Sequence, residues 1–122
     1  MPILVSAACG TLRVEVDYAL PAVVNDHEVT GAIERAARRV VGKENVITGW
    51  RNRFADDVAL WLCAAPGCLW LLGTANPDKG ITESWHRPGF DLDEDALPLA
   101  VEIMALAALD LLQEGRSPGP PR

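Results

Sequence analysis

The run Cys68–Leu72 (CLWLL) constrains the fold of this chain more than any other feature of its sequence. It is apolar at consecutive positions, so a strand built from it needs cover on both faces, as in the interior of an α/β sheet. The alternating residues of Thr11–Tyr18 predict a half-buried antiparallel edge strand, and Asn45–Thr48 is a brief strand candidate. Two or three strands make a thin sheet, so CLWLL indicates that the chain contributes part of a larger one.

Three helices are predicted between and after these strands. The first runs from about His27 to Val41, is capped by Asn25 or Asp26, and ends at Gly42. A short helix follows Asp56 and Asp57, and Asp57 is the predicted cap. The last helix runs from near Asp95 to about Gln113, because Pro98 is tolerated only in a first turn. The residues of the first helix that are expected to face the core are Val29, Ile33, Ala36, Val40 and Val41.

Composition excludes several classes of partner. The chain has 122 residues, 49% of them hydrophobic, which suits one domain with a core. Its formal charge of −6 argues against nucleic acid and against an anionic membrane. The apolar run Ala96–Leu112 is too short for an easy membrane span and contains Pro98, Glu102 and Asp110, so it predicts a buried helix.

The cysteines indicate a reducing compartment. There are three of them, an odd number in a chain large enough to fold without disulfides, and no secretory signal is visible. We therefore expect a cytoplasmic protein with reduced thiols. Cys63 and Cys68 lack the spacing of a zinc ribbon and are interpreted, like Trp61 and Trp70, as parts of the core.

The loop between CLWLL and the last helix concentrates the chemically informative residues. Glycines and prolines punctuate it, His86 stands between Trp85 and Arg87, and an acidic run from Asp91 to Asp95 closes it. Taken alone, His86 is either a metal ligand or an ordinary loop histidine bonded to backbone or solvent. Calcium binding by the acidic run is disfavoured by its spacing, and helix capping accounts for these carboxylates.

Four ordered blocks carry a family resemblance. They are Pro21–Thr30, Phe54–Leu62, Pro66–Ile81 and Trp85–Leu97. In this order they resemble the C-terminal portion of the metal-dependent amidohydrolases and metallopeptidases of the aminoacylase, hippurate hydrolase and N-acyl-amino-acid amidohydrolase type. The resemblance extends from about Thr11 to Leu112.

The resemblance implies a division of the chain. Residues 1–20 would be a remnant of the dimerisation lid with its last strand, 21–114 the C-terminal part of the catalytic domain, and 115–122 a disordered tail. The fold implied is a partial three-layer α/β sandwich with an incomplete sheet. The missing N-terminal half, or self-association, would complete it.

The resemblance also implies the site. His86 matches a ligand of the divalent metal pair, which is zinc, manganese or nickel in the full enzymes, with Asp91 or Asp93 supporting the loop. Asp56 is the candidate to reach the substrate, although the family has a glutamate first in this acidic pair, and Trp85, next to His86, is a candidate substrate contact. The position after the ligand, often histidine or threonine in the family, is Arg87 here.

The remaining ligands and the general-base glutamate of the family lie in the N-terminal half, so we expect little metal binding and no catalysis by this chain alone. The favoured function is that of a fragment of an enzyme that cleaves N-acyl amino acids or small peptides. The alternative is a non-catalytic binding or assembly module that self-associates or pairs with a partner chain. A complete small hydrolase using His86 and the aspartates is the least favoured hypothesis.

Overall fold

The computed structural model describes residues 20–51, 55–113 and 115. Within them lie three α-helices: α1 (His27–Val41), α2 (Val58–Ala64) and α3 (Ala96–Gln113). Two short 3₁₀ turns, Lys43–Asn45 and Pro77–Lys79, complete the regular structure. The predicted strand Thr11–Tyr18 and nearly all of the lid remnant and of the proposed tail lie outside the described residues.

The predicted helix boundaries are confirmed to within two residues at most ends. Asp26 caps α1, since its Oδ1 accepts from the backbone amides of Glu28 and Val29 at 2.9 and 3.1 Å. Gly42 ends α1 at φ 83°, a conformation that disfavours residues with a Cβ atom, and a Cβ there would also collide with the Glu44 side chain. The last helix begins at Ala96, and Pro98 lies in its first turn as expected.

The packing of α1 against α3 forms the core. Ala36 and Ala37 of α1 and Ile103 and Ala107 of α3 are buried together, and small side chains let the two helices approach closely. Arg39 also reaches across the pair to Asp110, at 3.4 Å. Partly buried apolar residues surround this cluster, namely Ile33, Val40, Val41, Val46, Trp70 and Leu106.

The prediction of a buried last helix is wrong for most of α3. The buried residues of this helix are Ala96, Ile103 and Ala107, whereas Leu97, Val101 and Met104 are exposed. The exposed residues are spaced i, i+4 and i+7, which makes them a second apolar stripe on the same helix. By length and composition α3 alone, among the described residues, is apolar enough to cross a membrane.

The two strand predictions that fall on described residues are also wrong. Lys43–Asn45 is a 3₁₀ turn with no strand after it, and 68–72 has no strand assignment. The backbone of Leu69 pairs instead with the Asn25 side chain, which donates from Nδ2 to the Leu69 carbonyl at 2.8 Å and accepts the Leu69 amide at 2.9 Å. A β-strand pairs with a neighbouring strand over several residues. The Asn25 side chain pairs with the backbone of Leu69 alone, so it cannot take the place of a neighbouring strand.

Two predicted core residues lie at the surface. The Trp61 side chain is 75% exposed, and Cys63 is exposed as well. Both belong to α2, whose one buried residue is Ala59. A seven-residue helix has too few turns to bury more than one face without a second layer above it, and the described residues provide none. Trp70, by contrast, packs against the α1–α3 core as predicted.

Candidate functional site

The structure brings three predicted site residues to one cavity. His86, Trp85 and Asp56 line a depression of about 190 Å³ whose remaining wall is formed by Ala55, Leu69 and Leu71. The Trp85 and His86 rings are tilted by 53°, with centroids 6.4 Å apart. Asp56 and His86, thirty positions apart in sequence, thus line the same depression beside Leu69 and Leu71.

His86 has an unusual backbone conformation. Its φ of 62° lies in the left-handed region, and it is the sole residue other than glycine with positive φ in the described chain. Histidine tolerates this region better than most residues do, but the conformation still costs roughly 1 kcal/mol or more. Such a strained residue persists when the surrounding structure holds it, and strained residues concentrate at functional sites.

Asp56, and not Asp57, makes the cap of α2. Asp56 Oδ1 accepts from the Val58 amide at 2.9 Å, while the Asp57 side chain makes no capping bond. Asp57 has helical backbone angles (φ −70°, ψ −15°), so its carboxylate is not placed to accept from the first turn. The prediction that one aspartate caps and the other reaches the site is therefore corrected. Asp56 does the capping and lines the cavity.

Hydrogen bonds join the two ends of the loop that carries His86. Asn76 and Ile81 exchange two backbone hydrogen bonds, 2.8 and 2.9 Å long, in an isolated antiparallel bridge. Asp93, just before α3, donates its backbone N–H to the Thr74 carbonyl at 2.9 Å. The Asn76 side chain donates from Nδ2 to Asp93 Oδ2 at 2.5 Å. Both ends of the loop are thus held at Asn76.

Lys79 adds charge to this junction. Its Nζ lies 2.6 Å from Asp93 Oδ1 and 2.6 Å from Asp95 Oδ2. Hydrogen bonds from Asn76 and then Lys79 lower the pKa of Asp93 to about 2. The same carboxylates, Asp93 first and then Asp95, raise the pKa of Lys79 above its ordinary value. The ammonium and the carboxylate are therefore both charged across the neutral range.

The sequence offers Asp91 or Asp93 as the residue that supports the loop of His86. Asp91 Oδ1 accepts the Leu92 amide at 2.8 Å, and both aspartates line a second depression together with Lys79. Asp93 holds the loop from its base, through Asn76. Sequence reasoning missed Asn76 and Lys79. The pair Asn76-Pro77 indicates a turn, but no residue near it in the sequence indicates a hydrogen bond from Asn76 to Asp93.

The described residues do not make a complete metal site. No group of three or more His, Cys, Asp or Glu side chains able to hold a metal is present in 20–51, 55–113 and 115. A catalytic zinc site takes about three protein ligands and a water. The cavity offers one imidazole and one carboxylate, His86 and Asp56. Any metal here would need ligands from other residues.

A sequence profile of the family described as Peptidase family M20/M25/M40 matches residues 4–110. The chain belongs to peptidase family M20. Enzymes of M20 are generally metal-dependent hydrolases, and membership is consistent with an α/β fold. The resemblance read from the four sequence blocks is thereby confirmed at the level of family. No solved structure matches the chain.

Several relatives of the chain are named as hydrolases. The chain is 33% identical over 110 residues to a probable hydrolase of Synechocystis, covering 86% of the chain and 28% of that protein. It is 35% identical over 94 residues to the N-acetylcysteine deacetylase of Bacillus subtilis, covering 77% and 23%. It is 33% identical over 114 residues to the thermostable carboxypeptidase 2 of Saccharolobus solfataricus, covering 87% and 28%. The chain thus spans less than a third of the length of each of these relatives.

Proposed function

We propose that this chain is the C-terminal part of an M20 catalytic domain and that it contributes one wall of a metal-dependent amidohydrolase site. The reaction proposed is cleavage of the amide bond of N-acyl amino acids or small peptides, as the names of the deacetylase and carboxypeptidase relatives suggest. The observation that carries the proposal is that His86, Asp56 and Trp85 line one cavity. On its own, the chain is expected to be inactive.

Each of the three side chains has a role in this proposal. The His86 imidazole is the metal ligand, Asp56 faces the polar part of the substrate, and Trp85 contacts its acyl group. A divalent metal, whether zinc, manganese or nickel, polarises the amide carbonyl and activates water when it is bound. A second ligand set and the general base would come from the part of an M20 domain that the relatives have beyond the matched segment.

The surface of the described residues supports a missing partner. Exposed apolar side chains lie on α3 (Val101, Met104), on α2 (Trp61) and in the connecting segments (Ile47, Trp50). On α3 the exposed residues Leu97, Val101 and Met104 form a stripe, and an exposed apolar stripe marks a surface that a partner covers. We propose that the rest of an M20 domain, joined to this chain or separate from it, covers α3 and supplies the strands next to 68–72. This would complete a three-layer sandwich, with residues 1–20, 21–114 and 115–122 as lid remnant, catalytic part and tail.

The cytoplasm is the proposed compartment. Cys63 and Cys68 are free thiols, Cys63 at the surface, and a reducing environment would keep them so. Neither nucleic acid nor a membrane is proposed as a partner, because of the net negative charge.

A hybrid enzyme tests the proposal. Residues 4–110 of this chain would replace the matching segment of the Bacillus subtilis N-acetylcysteine deacetylase, which supplies the remainder of an M20 protein. We expect the hybrid to retain bound divalent metal and to release acetate from N-acetylcysteine. His86→Asn, which keeps a residue tolerant of positive φ, should lose metal, while the control His27→Asn on α1 should not. A folded hybrid holding equal metal with His86 and with His86→Asn contradicts the assignment.

The exposed apolar surface also fits the second candidate, an assembly module that pairs with its own copies. Sedimentation of the full chain over a hundredfold concentration range distinguishes the two. A dimer that forms as the concentration rises and does not bind the rest of an M20 domain favours the assembly module. A chain that stays monomeric until that partner is added favours the enzyme fragment. A folded monomer that binds no apolar dye opposes both.

A further inference from the structure

Asn76 forms hydrogen bonds with both ends of the loop that runs from Ile81 to Asp93. The backbone of Asn76 pairs with Ile81 where the loop leaves, and its side-chain amide holds the Asp93 carboxylate where the loop returns. Trp85 and His86 lie between these two points. Within the loop, the Phe90 amide donates to the Arg87 carbonyl at 3.0 Å, which makes a local turn after His86.

Asparagine suits this position because all four of its polar atoms form hydrogen bonds. Its N–H and C=O pair with Ile81, its Oδ1 accepts from the Asp78 amide at 3.1 Å, and its Nδ2 donates to Asp93. A side-chain amide carries its acceptor and its donor on separate atoms of one planar group, and glutamine is longer by one methylene. Aspartate would keep the acceptor but place a second carboxylate against Asp93.

The other end of the junction is equally well fixed. Asp93 Oδ1 accepts from Lys79 at 2.6 Å and from the Asp95 amide at 3.2 Å, where α3 is about to begin. The Asp93 side chain is only 13% exposed, so this contact is partly shielded from water. Through Asp93 the loop is tied to the helix that packs on α1.

We infer that Asn76 is a positioning residue: its hydrogen bond to Asp93 closes the loop and holds His86 in its left-handed conformation at the cavity beside Asp56. The inference rests on the proposed function, in which His86 is the metal ligand. Asn76 is not among the residues that line the cavity. Its effect on metal binding passes through the geometry of the loop, as the effects of residues that orient metal ligands do.

The first arm of the test uses the full chain without metal. Asn76→Asp is expected to raise amide hydrogen exchange about tenfold or more at Ile81, Phe90 and Asp93, whose amides are hydrogen-bonded, with exchange in α1 and α3 unchanged. It should also shift the imidazole resonances of His86, while those of His27 provide an internal reference. Asn45→Ala, which removes a side-chain bond to the Val41 carbonyl at the far end of α1, is the matched control and should leave both readouts unchanged.

A reversed pair separates this role from a general loss of fold. Combining Asn76→Asp with Asp93→Asn lets the amide at position 93 donate to the carboxylate at position 76, and the bonds to Lys79 and Asp78 can persist. We expect this double variant to restore slow exchange in the loop and the original His86 resonances. A loop that exchanges alike in the parent, the single and the double variant overturns the inference.

The second arm measures metal affinity in the hybrid enzyme by competition with a zinc-sensitive dye. Asn76→Asp should weaken zinc binding by about ten- to a hundredfold, and the reversed pair should recover it. If His86→Asn leaves zinc affinity intact, the proposed function fails, whatever the exchange data show. If His86→Asn abolishes binding but Asn76→Asp changes neither affinity nor exchange, the proposed function stands and the role of Asn76 is refuted.

Discussion

The two apolar stripes of α3 give a sharp prediction about stability. Ile103, which is 2% exposed, is the largest fully buried side chain among the described residues and packs against Ala36 and Ala37 of α1. Ile103→Ala removes three carbons, which at about 0.8 kcal/mol each amounts to roughly 2.4 kcal/mol of lost transfer free energy. The cavity left behind adds to this, so the free energy of unfolding should fall by about 3 kcal/mol.

Val101→Ala on the same helix is the matched control. Val101 is 69% exposed, and its Cα lies roughly 200° around the helix from that of Ile103. In the chain alone, this change should alter the free energy of unfolding by no more than about 0.5 kcal/mol. Urea unfolding followed by circular dichroism at 222 nm measures both variants, and a lower midpoint with an unchanged slope identifies a genuine loss of stability. Thermal scans should show a melting temperature lower by on the order of 10 °C for Ile103→Ala.

The result also tests which face of α3 is covered. If Val101→Ala costs as much as Ile103→Ala in the chain alone, α3 does not pack on α1 through the stripe of Ala96, Ile103 and Ala107, and the reasoning fails. Two small effects would show that the α1–α3 pair contributes little to folding. In the hybrid enzyme, by contrast, Val101→Ala should become costly, because the rest of the M20 domain is proposed to cover that stripe.

Two further predictions concern single carboxylates. Asp26→Ala removes the side-chain acceptor of two amides at the start of α1 and should lower the free energy of unfolding by about 1 kcal/mol, measured by urea unfolding, whereas an unchanged midpoint would show that Asp26 does not cap α1. The pKa of Asp93 is lowered from 3.8 to about 2, so its contribution is present above pH 3.8 and is lost as the pH falls from there toward 2. Lowering the pH through this window should therefore reduce the free energy of unfolding more in the parent chain than in Asp93→Asn, and equal slopes would contradict the hydrogen bonds of Asp93 with Asn76 and Lys79.

Local signals in the sequence were sufficient for the helices. The Asp26 cap, the Gly42 terminus and Pro98 in a first turn depend on residues within one or two turns of each other, and all three are present in the structure. The acidic pair shows the limit of such signals. Asp56 and Asp57 are equivalent in sequence, and only the backbone angles of Asp57 reveal that Asp56 makes the bond to Val58.

Features that depend on distant residues were not predictable in the same way. The pairing of Asn76 with Asp93, and of Asn25 with Leu69, joins positions 17 and 44 residues apart through single side chains. Hydrophobic patterning predicted burial for Trp61 and for most of α3, because it reports that a side chain is apolar and not what covers it. The position of His86 in one cavity with Asp56 and Trp85 followed from the family resemblance and not from any local pattern.

The exposed apolar residues and the incomplete site have one physical explanation. A helix that is apolar on all sides is stable in water only when every face is covered, yet α1 covers one stripe of α3 and Val101 and Met104 remain exposed. The segment 68–72 is apolar on both faces. The Asn25 side chain, and not a neighbouring strand, pairs with its backbone at Leu69. His86 is held in a strained conformation at a cavity with too few ligands for a metal. Each of these features is costly in an isolated chain, and each would be relieved by the proposed partner, the remainder of an M20 domain packed against α3 and the cavity.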